Sequence, residues 1–381
     1  MSDAPFLLPS DLKANYLAHK DAVDSAAMRV LESGWYIGGS EVDTFEAAFA
    51  EFLGVCQAIG VASGTDALTL ALRTCGIGSG DIVLTVSHTA VATVAAVELA
   101  GAAPALVDID EETYTMSPAC LERALSALAA DPDTRGRVKA IIPVHIYGQP
   151  AELDAILDLA RAYECRVIED CAQAHGALYR DRAVGAWGDL GTFSFYPTKN
   201  LGALGDAGAV VTDDCDLARR ARLLKEYGWE ERYVSSFAGM NTRLDPIQAA
   251  ILGAKLGALH EENARRRQIA ACYTAAFADS GLMLPVCRDN VTHVYHQYVV
   301  RHPDRDSLRD WLKANGIGSL IHYPVPVHRQ PAYEGRLALP AGDLAVTERI
   351  CGEILSLPMH PQLTDSDVER VINAVLTWLS R

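Results

Sequence analysis

Three short stretches carry residue types that could do chemistry. In GTFSFYPTKNLGALGDAGAVV, which begins at Gly191, Lys199 follows an aromatic strand pattern and is flanked by Pro197 and a run of glycines. A lysine held in such a turn and stripped of water loses affinity for its proton and becomes a nucleophile able to form a Schiff base with an aldehyde. A solvated loop lysine is hard to reconcile with the aromatic residues before it. In VIEDCAQAHGA, Asp170 closes an apolar strand at its carboxyl end, where open α/β sheets bind their ligands. A carboxylate there needs a cation to offset its desolvation, a need that a structural ion pair would meet equally well. In ASGTDAL, a strand end runs through Ser-Gly-Thr-Asp into a helix. Gly64 lets the backbone come close to a ligand, and the first helical amides make an anion seat. Standing alone, this piece is better read as an ordinary N-cap, because Ser, Thr and Asp caps are so common.

The elements that must position these residues are legible as patterns. From about Cys56 to Val211, short apolar runs alternate with amphipathic stretches, as in a mainly parallel sheet covered by helices. CQAIGVAS, DIVLTVS, APALVDI, VKAIIPVHI, CRVIEDC, LGTFSFY and AGAVVT read as strands. TDALTLALRTC sets Leu68, Ala71 and Leu72 on one helical face, and LDAILDLARAY does the same with Leu153, Ile156 and Leu157. A helix near residues 214–226 precedes a loop rich in Gly, Ser and Tyr. One long helix then starts at Asp245, with Asp as N-cap and Pro246 in the first turn. From about Ala275 the chain reads as strand, helix, strand and two helices. The spans predict a large cofactor-binding domain with N-terminal helices at 1–260 and a smaller C-terminal α+β domain at 261–381.

Composition narrows the class. The 381 residues are half hydrophobic, enough for a large core. MSDAPFLLPSDLK lacks a basic start followed by an apolar run, and no later segment approaches the roughly 18 uninterrupted apolar residues of a membrane span. That predicts a cytoplasmic protein with no membrane partner. Nine cysteines without pairing rhythm read as thiols of a reducing compartment. Acidic residues outnumber basic ones 49 to 33, for a net charge of −16, which argues against nucleic acid as a partner.

Two tempting motifs are set aside. GIGSGD, at Gly76 to Asp81, resembles a dinucleotide fingerprint, but it follows a helix and precedes a strand, the reverse of the required order; it reads as a helix end and turn. Cys165, Cys171 and His175 lack a fourth ligand and the spacing of a zinc site, so no metal is expected. There is no GxxxxGKS loop and no GxSxG elbow to anchor nucleotide or serine hydrolysis.

A phosphate seat, a sheet-edge carboxylate and a buried lysine are together what pyridoxal 5'-phosphate requires. With GWYIGGSEVDTFEAAFAEFLG, ASGTDAL, EDCAQAHGA, FSFYPTKNLGALGDAGAVV, MNTRLDPIQAA and IHYPVPVHRQ in this order from about Gly34 onward, the chain resembles the DegT-type sugar-nucleotide aminotransferases. The resemblance implies an α/β fold-type I transferase, with a mostly parallel sheet sandwiched by helices and a smaller α+β domain. It implies that Lys199 bonds the cofactor's aldehyde and moves the proton, that Asp170 pairs with the ring nitrogen, and that Gln173 lies near the ring hydroxyl. Gly64, Thr65 and Ser194 would hold the phosphate, and Asn241 would reach the phosphate in a neighbouring subunit, which makes a homodimer with shared sites. His88, in SHTAVAT, occupies the position at which the family stacks an aromatic ring on the cofactor; a core histidine is the alternative.

The same resemblance implies transamination in two halves, with L-glutamate as donor, pyridoxamine phosphate between the halves, and a nucleotide-linked keto sugar as acceptor. Family members that remove oxygen carry histidine in place of the lysine, so Lys199 favours amino transfer. GALGDAGAV, CAQAHGA and IHYPVPVHRQ are similar to the subgroup that aminates C3 of dTDP-3-keto-6-deoxyhexoses, in amino-sugar pathways of O-antigens or natural products. Tyr36, His322, Tyr323 and His328 would then lie near the sugar, although the last three could equally be interface packing. A 4-keto sugar, a UDP-linked 3-keto sugar, and a cofactor-binding regulator without turnover are the alternatives.

Overall fold

A computed structural model describes residues 5–381; the first four residues, part of the amino-terminal reading above, lie outside the described residues. Seven strands form the central sheet: β1 (Gln57–Val61), β2 (Ile82–Val86), β3 (Ala103–Val107), β4 (Val138–Ile141), β5 (Arg166–Asp170), β6 (Leu190–Ser194) and β7 (Gly208–Thr212). Each falls on one of the runs read as strands, and their spatial order is β1-β7-β6-β5-β4-β2-β3. β7 runs antiparallel to both its neighbours, while the other pairings are parallel. The reason is local: the turn carrying Lys199 joins β6 to β7 without a crossover helix, and such a direct connection can only link antiparallel strands.

The parallel strands are buried on both faces, which is why sequences such as IVLTV and APALV are apolar nearly throughout. Ile59, Val83, Leu84, Ile168 and Val210 are wholly inaccessible in the sheet. Helix Gly64–Thr74 packs Leu68, Leu70, Ala71 and Leu72 into this core, with the Ser63 hydroxyl accepting the Asp66 N–H at 3.1 Å as its cap. Gly76, in the set-aside GIGSGD stretch, has φ +76° and ends that helix, as a C-terminal glycine does.

Two expectations change. The long helix from Asp245 is two helices, Pro246–Leu256 and Leu259–Phe277, separated at Gly257 and Ala258. Glycine is among the weakest helix formers, and the break lets the second helix carry Tyr273 and Phe277 into the C-terminal core with Tyr298, Leu308, Leu312 and Val371. In the C-terminal segment the order is strand, helix, helix, strand, helix: β8 (Tyr298–Arg301) pairs antiparallel with β9 (Ile354–Leu357), which follows helix Ala345–Glu353. No helix among the described residues is long and apolar enough to cross a membrane.

One buried carboxylate ties the sheet to the loop before β6. Glu169 is wholly inaccessible and takes the His145 Nε2–H at 3.0 Å together with the backbone N–H groups of Gly185, Trp187 and Gly188, each at 2.8 Å. Burial pushes its carboxyl up, but His145 and the amides outweigh that and leave it below the ordinary glutamate value. A carboxyl depressed in the folded state contributes stability above its unfolded value and loses it as pH falls through the folded one. Glu169→Gln turns an amide donor toward backbone donors. It is therefore expected to lower stability at pH 7 by about 3 kcal/mol and to flatten the acid limb of urea-midpoint against pH, both readable by denaturation of the two proteins side by side.

Candidate active site

The carboxyl ends of β1, β2, β5 and β6 converge on one crevice. At β1, the helix starting at Gly64 leaves the Gly64 and Thr65 amides without an acceptor among the described residues, since a first turn has no preceding carbonyls. The Ser194 residue at the end of β6 lies against them: a Cβ on Gly64 would come within 2.5 Å of the Ser194 Cβ. Only glycine permits that approach, so two amides and a hydroxyl face one small volume, a donor set for a phosphate.

Asp170, at the end of β5, is 5 % exposed. Burial raises its carboxyl above the usual range, opposed by the Ala172 N–H on Oδ1 at 3.1 Å, the Thr93 hydroxyl on Oδ2 at 2.9 Å, and the charges of Lys199 and His145. Lys199 is pushed down to about 8 by burial, with Asp170 acting in the opposite sense. The amine and the carboxylate thus sense each other in a space with little water.

Gln173 is fixed at both ends of its amide: Oε1 accepts the Tyr147 N–H at 2.6 Å, and Nε2 donates to the Tyr323 hydroxyl at 3.0 Å. One Nε2 proton is left to donate. Tyr147 has φ +60°, an unusual backbone state that costs about 1–3 kcal/mol and is found at sites where geometry matters. Nothing in HIYGQP signals this. Thr93, His145 and Tyr147 were not among the residues singled out from the sequence; for Thr93 the one available signal is its place four residues after Thr89 in SHTAVAT.

His322 and Tyr323 arrive from the C-terminal part of the chain. Tyr147 donates its hydroxyl to the His322 carbonyl, and the His322 ring meets Ser356 Oγ at 2.9 Å. Burial and the Lys199 charge bring that ring down to about 4, so it is neutral near pH 7.

Other expected site residues are placed differently. His88 is 0 % exposed, with Nε2 2.7 Å from the Tyr147 hydroxyl, Nδ1 3.5 Å from Cys351 Sγ, and edge contacts to Tyr114 and Tyr147. These contacts hold the ring by its edge nitrogens. Burial lowers it to about 4, which removes the concern of a second cation. His328 also has both ring nitrogens engaged, Nδ1 with Ser87 Oγ at 2.7 Å and Nε2 with Glu348 at 2.9 Å, which leaves none for a sugar hydroxyl. It braces the end of β2. Tyr36 stands 55 % exposed with its hydroxyl on the Leu31 carbonyl, and Asn241 is exposed with Oδ1 on Arg243; neither touches the Lys199 group within the chain.

Cys165 and His175 do not join Cys171 in a metal-type cluster. Cys165 faces the Val138 and Tyr163 carbonyls, and His175 packs between Phe193 and Phe195. Among the described residues, the ligand types that do gather are His145, Glu169 and Cys171, and there the Glu169 oxygens are already saturated by the donors described above.

The profile of the DegT/DnrJ/EryC1/StrS aminotransferase family matches residues 18–376. A dTDP-3-amino-3,4,6-trideoxy-alpha-D-glucose transaminase of Streptomyces venezuelae is 45% identical, over 99% of this chain and 96% of its own. A dTDP-3-amino-3,6-dideoxy-alpha-D-galactopyranose transaminase of Aneurinibacillus thermoaerophilus is 44% identical, over 97% of this chain and 98% of its own. The crystal structure of S. venezuelae DesV superposes with a TM-score of 0.94 at 45% identity, covering 99% of this chain and 100% of that one. The chain belongs to the DegT/DnrJ/EryC1/StrS aminotransferase family. It is an enzyme of the pyridoxal-phosphate-dependent aminotransferase class, and its donor set fits that cofactor: unpaired amides beside Ser194, a buried carboxylate, and an amine lowered toward neutrality.

Only a neutral amine attacks an aldehyde. Capture of pyridoxal phosphate by the apo-protein, trapped with borohydride and located by peptide mapping, is expected to rise with pH about a midpoint near 8 at Lys199. Asp170→Asn removes the anion that favours the proton and should move that midpoint to lower pH. Lys199→Met should leave no modified peptide.

Proposed function

We propose that the enzyme moves an amino group from L-glutamate to C3 of a dTDP-linked 3-keto-6-deoxyhexose, in the cytoplasm, as a homodimer with shared active sites. The observation that carries this reading is the near full-length relation to two transaminases whose names specify dTDP-3-amino sugars, joined to a crevice holding the whole amine, carboxylate and anion-seat set.

When bound, the cofactor supplies an electron sink for the carbon that loses its proton. Lys199 takes and returns that proton, a task suited to an amine lowered to about 8. Asp170, ionised, would hold the proton on the ring nitrogen. Gln173 would use its remaining N–H on the ring hydroxyl, and Gly64, Thr65 and Ser194 would take the phosphate. Tyr323 already accepts from Gln173, so its own proton is free for an oxygen of the sugar, with His322 beside it. Trp35, Ile37 and Tyr196 stand 63%, 58% and 52% exposed, apolar surface of the kind a second copy covers. The exposure of Asn241 suits a residue that serves the neighbouring subunit.

Cofactor-loaded enzyme given L-glutamate should lose its visible absorption band and regain it on addition of dTDP-3-keto-6-deoxyhexose. Lys199→Ala should abolish both changes. Loss without recovery would point to a 4-keto or UDP-linked sugar, and no response to any amino acid to a regulator. For the shared sites, mixing inactive Lys199→Ala with Asn241→Ala subunits should restore turnover, because one site of each mixed dimer then carries neither substitution; a mixture no better than its parts would refute the exchange.

A further inference from the structure

Asp170 does not stand on burial and Lys199 alone. Its Oδ2 is met at 2.9 Å by the hydroxyl of Thr93, the third residue of helix Val91–Leu99, and Thr93 Oγ1 lies 2.8 Å from Thr89 Oγ1. All three are buried, at 5 % exposure for Asp170, 1 % for Thr93 and 3 % for Thr89. A threonine hydroxyl in a helix commonly bonds a carbonyl one turn back, and Thr93 instead turns its proton to the carboxylate. An ionised carboxylate only accepts, and a hydroxyl has one proton. With the Thr93 proton on Asp170, the Thr89–Thr93 contact must be Thr89 donating. The two hydroxyls form a directed chain, Thr89 to Thr93 to Asp170, that runs from the end of β2 to the end of β5.

We propose that Thr93, oriented by Thr89, is a positioning residue that holds the Asp170 carboxylate ionised and in the rotamer that meets the cofactor's ring nitrogen. This rests on the reading of Asp170 as the partner of that nitrogen. The carboxylate is otherwise in a setting that favours its neutral acid. Burial is what favours that acid; the Ala172 N–H and the charges of Lys199 and His145 oppose it, and the nearby thiol of Cys171 and phenol of Tyr323 are neutral. A hydroxyl donor to one oxygen bonds the ionised form more strongly than the neutral acid, and it leaves the other oxygen, with its single amide contact, free to accept from the ring. A bare hydrophobic replacement would remove both the charge preference and the orientation.

The test is the nuclear resonance of a cofactor labelled with nitrogen-15 in its ring, loaded into wild type, Thr93→Val, Thr93→Ser, Thr89→Val and Asp170→Asn. The wild type should show a protonated ring nitrogen and Asp170→Asn an unprotonated one. Thr93→Val should move toward the unprotonated position, with kcat down about tenfold and KM for the amino donor little changed. Thr93→Ser should restore both, and Thr89→Val should move a smaller way in the same direction. A Thr93→Val resonance at the wild-type position, while that of Asp170→Asn has moved, overturns the role of Thr93. If Thr93→Val does not fold, an unmoved Thr89→Val resonance does the same. If Asp170→Asn itself leaves the resonance in place, the reading of Asp170 fails and the proposal falls with it.

Discussion

An amine and a carboxylate kept from water at one sheet edge set the terms for everything around them. Desolvation favours the neutral form of each, lowering Lys199 and raising Asp170, and each charge partly offsets the cost of the other. The result is an amine lowered to about 8, close to where protons can move at neutral pH, beside a carboxylate whose charge favours the amine's proton. The rings near Lys199 have to respect this balance. His175 and His322 fall to about 3 and 4, and His296 falls as well, each through burial first and the Lys199 charge second. Three neutral imidazoles thus line the site without adding competing cations.

The scaffold keeps this expensive arrangement by dividing two adjacent acids between two tasks. Glu169 and Asp170 are successive residues of β5 and project to opposite faces. Glu169 is spent on structure, its oxygens filled by His145 and three loop amides. Asp170 is left with two light contacts and an open function. Exchange of the two sets of partners would give a rigid but chemically silent strand.

Much of the fold was legible because burial on both faces of a parallel sheet leaves short apolar runs that stand out from amphipathic helices. Lys199, Asp170 and the Ser63–Gly64 turn were legible for a related reason: each breaks a local pattern at a strand end, where polar residues have no packing role. The division of the long helix at Gly257 was not, since both halves keep helical composition and the break answers to where the C-terminal core lies. The same holds for β9, whose ILSL run in a helix-rich segment becomes a strand only because β8 is there to pair with it.

His88 and His328 show the limit most plainly. The resemblance suggested ring stacking for one and sugar contact for the other; in the fold each has its two ring nitrogens engaged by residues remote in the chain, Tyr147 and Cys351 for one and Ser87 and Glu348 for the other. The sequence by itself determined the sheet and the places of Lys199, Asp170 and the Ser63–Gly64 turn at its strand ends, because those depend on local pattern and on turn chemistry. The tertiary structure alone decided which partners His88 and His328 bond, that Gln173 is clamped between Tyr147 and Tyr323, and that a threonine pair leads to Asp170, because a hydrogen bond is specified by a distance of about 3 Å between atoms that the sequence sets tens or hundreds of residues apart.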